Sequence, residues 1–486
     1  VIFDNPFLIF GGPGCGKTEG LLKMIEKDLE AGMSPDRIAF TSFTREAAYG
    51  ARRRAADKIG LEEDMLPWFR TLHSLAFRAI GILPSEVMQR SHLKEFFQEI
   101  GYKHGHGMEI GPATAGPDGD VCLSLVEYAR ASMRPLREVF DEHGPAIPWV
   151  SLDVFDRALR AFKAERNIFD FTDILEIFVR NGKSIPVEFA YIDEAQDLTR
   201  LQWEVARVAF AHCAKVMICG DDDQAVYKWT GANVNNFLNI HASSAVLDHS
   251  WRLPRKIHAL AGRVAQRIGI RQEKNFGHNG TEGEIHFHNS HHRIDLADEQ
   301  WLLLARNRYR LEALEDLVRD QGYLYSAHGK LSYDPEFVRS IQAYETMRKG
   351  KAINQHDAYL AAAQLGLPCQ FEHDDPVTLA DIDAEGRGIW WQAFKKVPTR
   401  DKEYLISAIR RGDDPMKAPR IRLDTFHGAK GAEADNVAVI TDISKRCMDG
   451  MRLSPDDEHR CFYVALTRAS KALHIVAPQT NQFYSV

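Results

Sequence analysis

Short apolar runs recur along the chain and end in polar clusters, at 7–10, 38–41, 189–192, 216–219, 301–305, 421–423, 437–440 and 474–477. A parallel strand buried on both faces shows a near-continuous apolar run instead of alternation, so each run is read as such a strand. Between them the spacing turns helical: Leu311, Leu314, Leu317 and Val318, for example, share one helix face. This alternation predicts an α/β fold of open parallel sheets with helices on both faces. In such sheets ligands bind beyond the carboxyl ends of the strands, where the polar clusters stand. Two stretches break the pattern. Residues 76–165 carry a Gly/His/Pro-rich segment (101–119) within helical patterning, and residues 349–415 contain no buried-strand run. Both are read as mainly helical insertions. There is no fixed-period repeat and no low-complexity tract.

At 486 residues the chain holds roughly three domains' worth of material. With 44% hydrophobic and 27% charged residues it can bury sizeable cores under a wet surface, and it reads as soluble and globular. No apolar stretch approaches the ~18 residues of a membrane span, so no membrane partner is expected. The first ten residues lack a signal-peptide pattern, and the missing Met reads as a trimmed start. Seven cysteines (Cys15, Cys122, Cys213, Cys219, Cys369, Cys447, Cys461) with no C-x-x-C pair argue against a disulfide framework or a common structural zinc site. A reducing, cytoplasmic setting is the simplest reading. The formal charge of -7 means that any nucleic-acid contact must come from a local basic surface.

The chemistry starts at the amino terminus. The run 7–10 leads into Gly11-Gly12-Pro13-Gly14-Cys15-Gly16-Lys17-Thr18 and then an apolar-periodic segment with Leu21, Leu22 and Ile25. This is G-x-x-x-x-G-K-T between a strand and a helix, a cradle for a nucleoside triphosphate. Its backbone N–H groups and helix amino end face phosphate oxygens, Lys17 reaches the β and γ phosphates, and Thr18 ligates Mg²⁺. The run 189–192 delivers Asp193 and Glu194, one carboxylate for Mg²⁺ and one to orient and deprotonate water. The run 216–219 delivers Asp221, Asp222, Asp223 and Gln224. Three consecutive carboxylates repel one another and require a cation or donor, while Gln224 is placed to sense the γ phosphate. Cys15, at a helix amino end, is expected to have a lowered thiol pKa, with alkylation blocking turnover and nucleotide protecting. His286, His288, His291 and His292 have no carboxylate or Cys at useful spacing and are read as an edge strand, not a metal site. Arg52, Arg53 and Arg54 are either a solvated face or a phosphate contact.

The segments GGPGCGKT, SFTREAA (42–48), FRTLHSLA (69–76), DFTDIL (170–175), DEAQD, GDDDQAVYKWTGA, SWRLP (250–254), DTFHGAKGAEAD (424–435) and EHRCFYVALTRA (458–469) resemble, in order and spacing, the motifs of UvrD/Rep/PcrA-type superfamily 1 helicases. The resemblance implies two RecA-like parallel-sheet domains: 1A at 1–75 and 166–248 with insertion 1B at 76–165, and 2A at 249–348 and 416–486 with a reduced insertion 2B at 349–415. It implies that Gly12, Pro13, Gly14, Cys15, Gly16, Lys17 and Thr18 hold ATP, that Trp251 stacks on adenine, and that Glu433 contacts the ribose. Arg252 and Arg468 would reach the γ phosphate from across the cleft, alongside Gln224. Phe43, Thr71, His73, Tyr227, Trp229 and His427 match positions that contact DNA. The implied activity is ATP-driven, Mg²⁺-dependent movement 3′ to 5′ along single-stranded DNA, with unwinding at junctions with duplex. Replication or repair proteins would be partners, in a bacterial or phage-infected host cytoplasm.

The motif pattern departs from the family at four points. The family's adenine-reading Gln lies upstream of the phosphate loop, so a relaxed preference for ATP over other triphosphates is expected of residues 1–486; Glu19 stands where relatives often have Arg, and Thr230 replaces the usual Arg after Trp229. The insertion and tail are also short, leaving Phe483 and Tyr484 as a reduced strand-separating wedge. Three rival readings remain: a helicase-nuclease fusion, for which no residues are left over; a nucleotide-switched DNA-binding protein without processive motion; and an RNA motor.

Overall fold

The computed structural model describes residues 3, 5–105, 117–368, 375–382, 384 and 386–486. Cys369 and most of the Gly/His/Pro-rich segment lie outside the described residues. The chain divides into two compact units, one formed by residues 1–255, 262–281 and 454–463, the other by 256–261, 282–453 and 464–486. The motif order had assigned 249–255, 262–281 and 454–463 to the second domain; by contacts they lie with the first.

The first unit is built on a five-stranded sheet of β1 (Pro6–Phe10), β2 (Ile38–Thr41), β3 (Phe189–Ile192), β4 (Lys215–Gly220) and β5 (Ser243–Val246), in the order β2-β3-β4-β1-β5. Every pairing is parallel. The runs of β1 to β4 are apolar because helices cover both faces. Leu72, Leu75, Ile174, Phe178 and Trp203 pack in one core cluster, and Leu21, Leu22, Ile25, Ala51 and Ala55 in another. The second unit has seven strands: β6 (Glu284–His288), β7 (Trp301–Ala305), β8 (Tyr325–Ala327), β9 (Lys330–Leu331), β10 (Ile421–Thr425), β11 (Ala434–Ile440) and β12 (Ala469–Val476). Their order is β6-β12-β11-β7-β10-β8-β9, parallel except for the β8/β9 pair.

All eight strands expected from apolar runs are present. The histidine-bearing segment read as an edge strand is β6, at one end of its sheet; those missed, β5, β8 and β9, sit at or near sheet edges. β5 is exposed throughout, so an apolar run never marks it.

Both interruptions are helical. In the first unit, helices Arg90–Ile100, Asp118–Ala131, Leu136–His143 and Trp149–Arg166 close over Phe96, Leu125, Phe155 and Phe162. The helix Leu72–Ile80 instead packs in the sheet core, so this helical body begins later than residue 76. In the second unit, Gln355–Leu365 and Thr399–Arg410 share a core with Pro335–Arg348, so that helical body begins before residue 349. Among the described residues no helix is long and apolar enough to cross a membrane.

One ionic cluster ties the first helical body to the sheet. Arg130 donates to Asp170 (2.9 Å), Asp173 (2.6 Å) and Glu176 (2.9 Å), and Lys163 donates to Asp170 (2.5 Å) and Asp173 (2.7 Å). Burial works against the charge of Asp170, but Arg130 and Lys163 outweigh it and hold its carboxyl below the usual range. A carboxyl lowered in this way stabilises the fold fully above its unfolded pKa, and that contribution fades as pH falls below it. Arg130→Ala is therefore expected to cost about 3 kcal/mol near neutral pH, and distinctly less near pH 3, in thermal melts at the two conditions.

Candidate functional site

The register of three neighbouring strands assembles the site. Phe10 pairs with Gly220 across β1 and β4, and Ile192 with Ile218 across β3 and β4. The residues that follow, Gly11, Asp193 and Asp221, therefore emerge side by side at the carboxyl edge, and Gly11 N–H donates to Gly220 O (3.2 Å). The loop turns through Gly14 at φ +71°, a conformation that favours glycine; a Cβ there would fall 2.4 Å from Arg252 Cβ. The Phe276 ring occupies the space that a Cβ on Gly12 would need. Lys17 is buried at the start of helix Lys17–Glu30, and its ammonium donates to Gly11 O (2.9 Å) and Gly12 O (3.1 Å). Burial disfavours its charge, yet Asp221 and Glu194 outweigh that and raise its pKa.

Thr18 donates its hydroxyl to Asp193 Oδ2 (2.6 Å). The Asp193 carboxyl is pushed up by burial and by neighbouring Glu194, the sign of a locus with more carboxylate than cation. Glu194 sits in the left-handed region at φ +53°, a strained backbone for a non-glycine residue. Gln196 donates to Glu194 Oε2 (2.5 Å) and accepts from Asp221 N–H (2.8 Å), bridging two strand ends. Beside them, Thr41 Oγ1 and Ser42 Oγ are buried without a hydrogen-bond partner. A close-approach glycine loop, a hydroxyl on a carboxylate and an excess of buried acid fit Mg²⁺ and a triphosphate, with Thr18 and Asp193 as the oxygen donors.

The cation that the three aspartates require is Lys274. Its fully buried ammonium lies 3.2 Å from Asp221, 2.5 Å from Asp222 and 2.9 Å from Asp223. Arg271 adds a two-pronged contact to Asp223 (2.8 and 2.6 Å), and Arg460 donates to Asp222 O (2.9 Å). Asp221, whose charge burial opposes, is held low by Lys274 and Lys17 together. Gln224 donates to Asp221 Oδ2 (2.6 Å), so its amide is anchored on the same carboxylate.

Trp251 and Arg252 pack on the phosphate loop within this same unit rather than facing it from the other one. Trp251 N–H donates to Gly14 O (2.9 Å) and Ser250 Oγ to Pro13 O (2.7 Å), and the Trp251 ring is 75% exposed beside Gly16.

The segment after Gln224 carries the aromatics. Phe43 stacks on Tyr227 (centroids 4.8 Å, 22°), and Tyr227 meets Trp229 edge-on at 6.1 Å. Thr230 closes this turn by donating to Tyr227 O (2.8 Å). Phe43, His73 and Trp229 line a cavity of about 400 Å³ together with Phe171, Glu127 and Tyr128. Burial, with Arg45 nearby, pushes His73 down to about 4, so it is neutral at physiological pH. Thr71 caps the helix Leu72–Ile80, accepting from Ser74 N–H (3.3 Å).

Of the remaining candidates, Arg468, Glu433 and His427 belong to the second unit. Arg468 is buried and donates to Val464 O (2.8 Å), Ala432 O (3.3 Å) and Thr467 Oγ1 (2.9 Å). Glu433 is exposed just before β11, and His427 is buried in the turn after β10.

Known families carry the same two halves. The UvrD/REP helicase N-terminal domain matches residues 1–105 and 137–244, and the UvrD-like helicase C-terminal domain matches 404–480. The chain belongs to the UvrD/REP helicase family. The ATP-dependent DNA helicase PcrA of Leuconostoc citreum is 25% identical over 325 residues, 61% of this chain and 42% of that one. PcrA of Bacillus subtilis is 23% identical over 389 residues, 70% of this chain and 51% of that one. The chain thus spans about half the length of the curated relatives it matches. The solved structure of the PRRSV helicase aligns over 99% of this chain and 54% of its own at 11% identity, with a TM-score of 0.36, a similarity too weak to bear on the fold.

Within this UvrD/REP family member several expectations need correction. Cys15 is no activated thiol: it is 6% exposed, and burial outweighs Lys17 and pushes its pKa up to about 11. Tyr484 is no wedge, because its ring is 2% exposed and its N–H is bonded to Thr441 O (3.0 Å). Glu19 pairs with Lys58 (2.8 Å) and Arg54 (3.8 Å), while Arg52 and Arg53 lie 3.7 Å from Glu63, so local carboxylates meet the arginines of that helix. His288 bonds His474 (2.9 Å) and His286 bonds Glu284 (2.8 Å) on the edge strand β6. Lys274, Arg271, Arg460, Gln196 and Glu127 escaped the sequence reading. For Lys274 and Arg271 the signal was there in principle, since three adjacent acids demanded a cation, but nothing in the spacing says which one.

Two outcomes are expected. Iodoacetamide at about pH 8 should label Cys15, as mapped by peptide mass, on the order of 100-fold more slowly than an unburied thiol. Lys274→Met leaves three buried carboxylates with Arg271 as their remaining ion pair and Lys17 bearing on Asp221, and should lower stability by about 3 to 5 kcal/mol in urea unfolding.

Proposed function

We propose that this protein is an ATP-driven motor that walks 3′ to 5′ along single-stranded DNA and separates strands at junctions with duplex. The observation that carries this reading is the continuity of one short segment. Asp221 to Gln224, beside Lys17, runs within five residues into Tyr227 and Trp229, the stacking surface beside Phe43. A change at the phosphate end therefore has a rigid covalent route to the bases.

Bound Mg²⁺ and ATP supply charge neutralisation and the phosphoryl bond that is broken. Lys17 binds the β and γ phosphates, while Thr18 and Asp193 are the residues to hold the metal. Glu194, fixed by Gln196, orients the attacking water and accepts its proton. Gln224, anchored on Asp221, reports the presence of the γ phosphate. Trp251 stacks on the base, with Arg252 beside the phosphates; by motif position Arg468 takes a γ-phosphate role and Glu433 a ribose role. Base stacking on Phe43, Tyr227 and Trp229 contributes on the order of 1 to 3 kcal/mol per base and tolerates any sequence, which suits a motor. His73, neutral at working pH, contacts the strand through its ring without adding charge. Thr71 and His427 take strand-contacting roles by motif position.

Lys17→Ala is expected to lower DNA-stimulated ATP turnover by on the order of 10³-fold while leaving affinity for single strands nearly intact. Retained turnover would overturn the nucleotide-site assignment. The wild type should eject streptavidin from a biotinylated single strand in an ATP-dependent way; turnover without ejection would reduce the motor to a nucleotide-switched binder. Stronger stimulation by RNA than by DNA would reassign the track.

A further inference from the structure

The cavity beside the stacking aromatics contains a carboxyl that the nucleotide and stacking chemistry does not use. Helix Asp118–Ala131 of the helical body presents Asp120, Leu123, Ser124, Glu127, Tyr128 and Ala131 to it, a single face at three- and four-residue spacing. Glu127 stands in this face with Phe43, His73, Phe171 and Trp229 in the other walls. The charged groups around it are committed elsewhere. Arg130 on its own helix and Lys163 on helix Trp149–Arg166 are bonded to Asp170 and Asp173 at the start of helix Phe171–Asn181, and Arg130 also to Glu176. Asp120 pairs with His104 (2.5 Å), and Lys228, next to Trp229, with Asp457 (2.9 Å). Glu127 makes no hydrogen bond or ion pair among the described residues. Its side chain is exposed to solvent in the cavity. Desolvation by the cavity walls, with Asp170 adding like charge, pushes its carboxyl up to about 7, whereas burial lowers His73 across the cavity to about 4.

We propose that Glu127 is a further strand-contacting residue, whose carboxyl in its neutral form hydrogen-bonds the edge of an unstacked base in this cavity. The inference rests on the reading of the cavity as the single-strand site. A neutral acid donates to a base carbonyl or ring nitrogen and accepts from an amino group. Its ionised form would place a negative charge beside a phosphate backbone at a cost in affinity. Binding therefore takes up a proton at Glu127, and affinity rises as pH falls through the range in which the free protein ionises there.

The test is fluorescence anisotropy of the full chain with a labelled mixed-sequence DNA 20-mer, at about pH 6 and about pH 8 and constant ionic strength. Wild type should bind about three- to tenfold more tightly at the lower pH, and Glu127→Gln should bind nearly equally at both. The wild-type titration stands without the variant, so a misfolded variant does not spare the proposal. Binding without pH dependence, or the wild-type dependence persisting in Glu127→Gln, overturns the role of Glu127 and leaves the motor reading intact. Failure to bind at either pH overturns both.

Discussion

The arrangement at the nucleotide end depends on one buried ionic knot, Lys274 among Asp221, Asp222 and Asp223. Three adjacent carboxylates with no exposure would each carry a desolvation penalty of several kcal/mol and repel one another, so the segment is tenable only with a cation in its midst. The lysine supplies that charge and also fixes geometry. Asp221 is pinned at the carboxyl end of β4, and the Gln224 amide is held against it. Residues 266–276, which deliver Arg271, Lys274 and Phe276, thereby brace the segment between the phosphate loop and the stacking aromatics.

The same edge is organised by sheet order. Because β1 and β3 both flank β4, the loop after each strand opens onto the same few ångströms, and short-range contacts complete what register begins. Gln196 links the ends of β3 and β4 by using both halves of its amide, a bridge that a carboxylate in its place would lack the donor to make. The strained backbone of Glu194 is held within this frame, and strain of this kind persists where surroundings over-determine it.

Much of the fold was legible because buried parallel strands have to be apolar on both faces. The run 301–305 could hardly be anything else, while Ser243–Val246, exposed along its length, carried no such mark. The strand–glycine loop–helix turn at 11–18 was legible because close backbone approach and a terminal ammonium demand particular residues in a fixed order. What stayed hidden depends on contacts distant in sequence. Lys274 lies 52 residues from Asp222, and Glu127 looks like an ordinary solvated helix residue until the walls around it are known. Cys15 was misjudged for a related reason. Its helix amino end was visible in the sequence, but the burial that outweighs it was not.

The charge balance of the nucleotide end has a direction. Lys274 and Arg271 pair with Asp221, Asp222 and Asp223, Arg460 donates to Asp222 O, and Lys17 bears on Asp221 and Glu194, so the cations gather on the β4 side. Of the two carboxylates nearest Thr18 and Lys17, Asp221 has two ammonium groups bearing on it and is held low, whereas Asp193, with Glu194 beside it, is pushed up. The less compensated carboxylate is thus the one on the Thr18 side of the cradle. A divalent cation there would relieve it most, while Asp221 keeps its lysines and the segment toward Tyr227 stays braced. The carboxylate beside Thr18 and the one braced by lysines are therefore different residues, although Asp193 and Asp221 leave adjacent strands of one sheet.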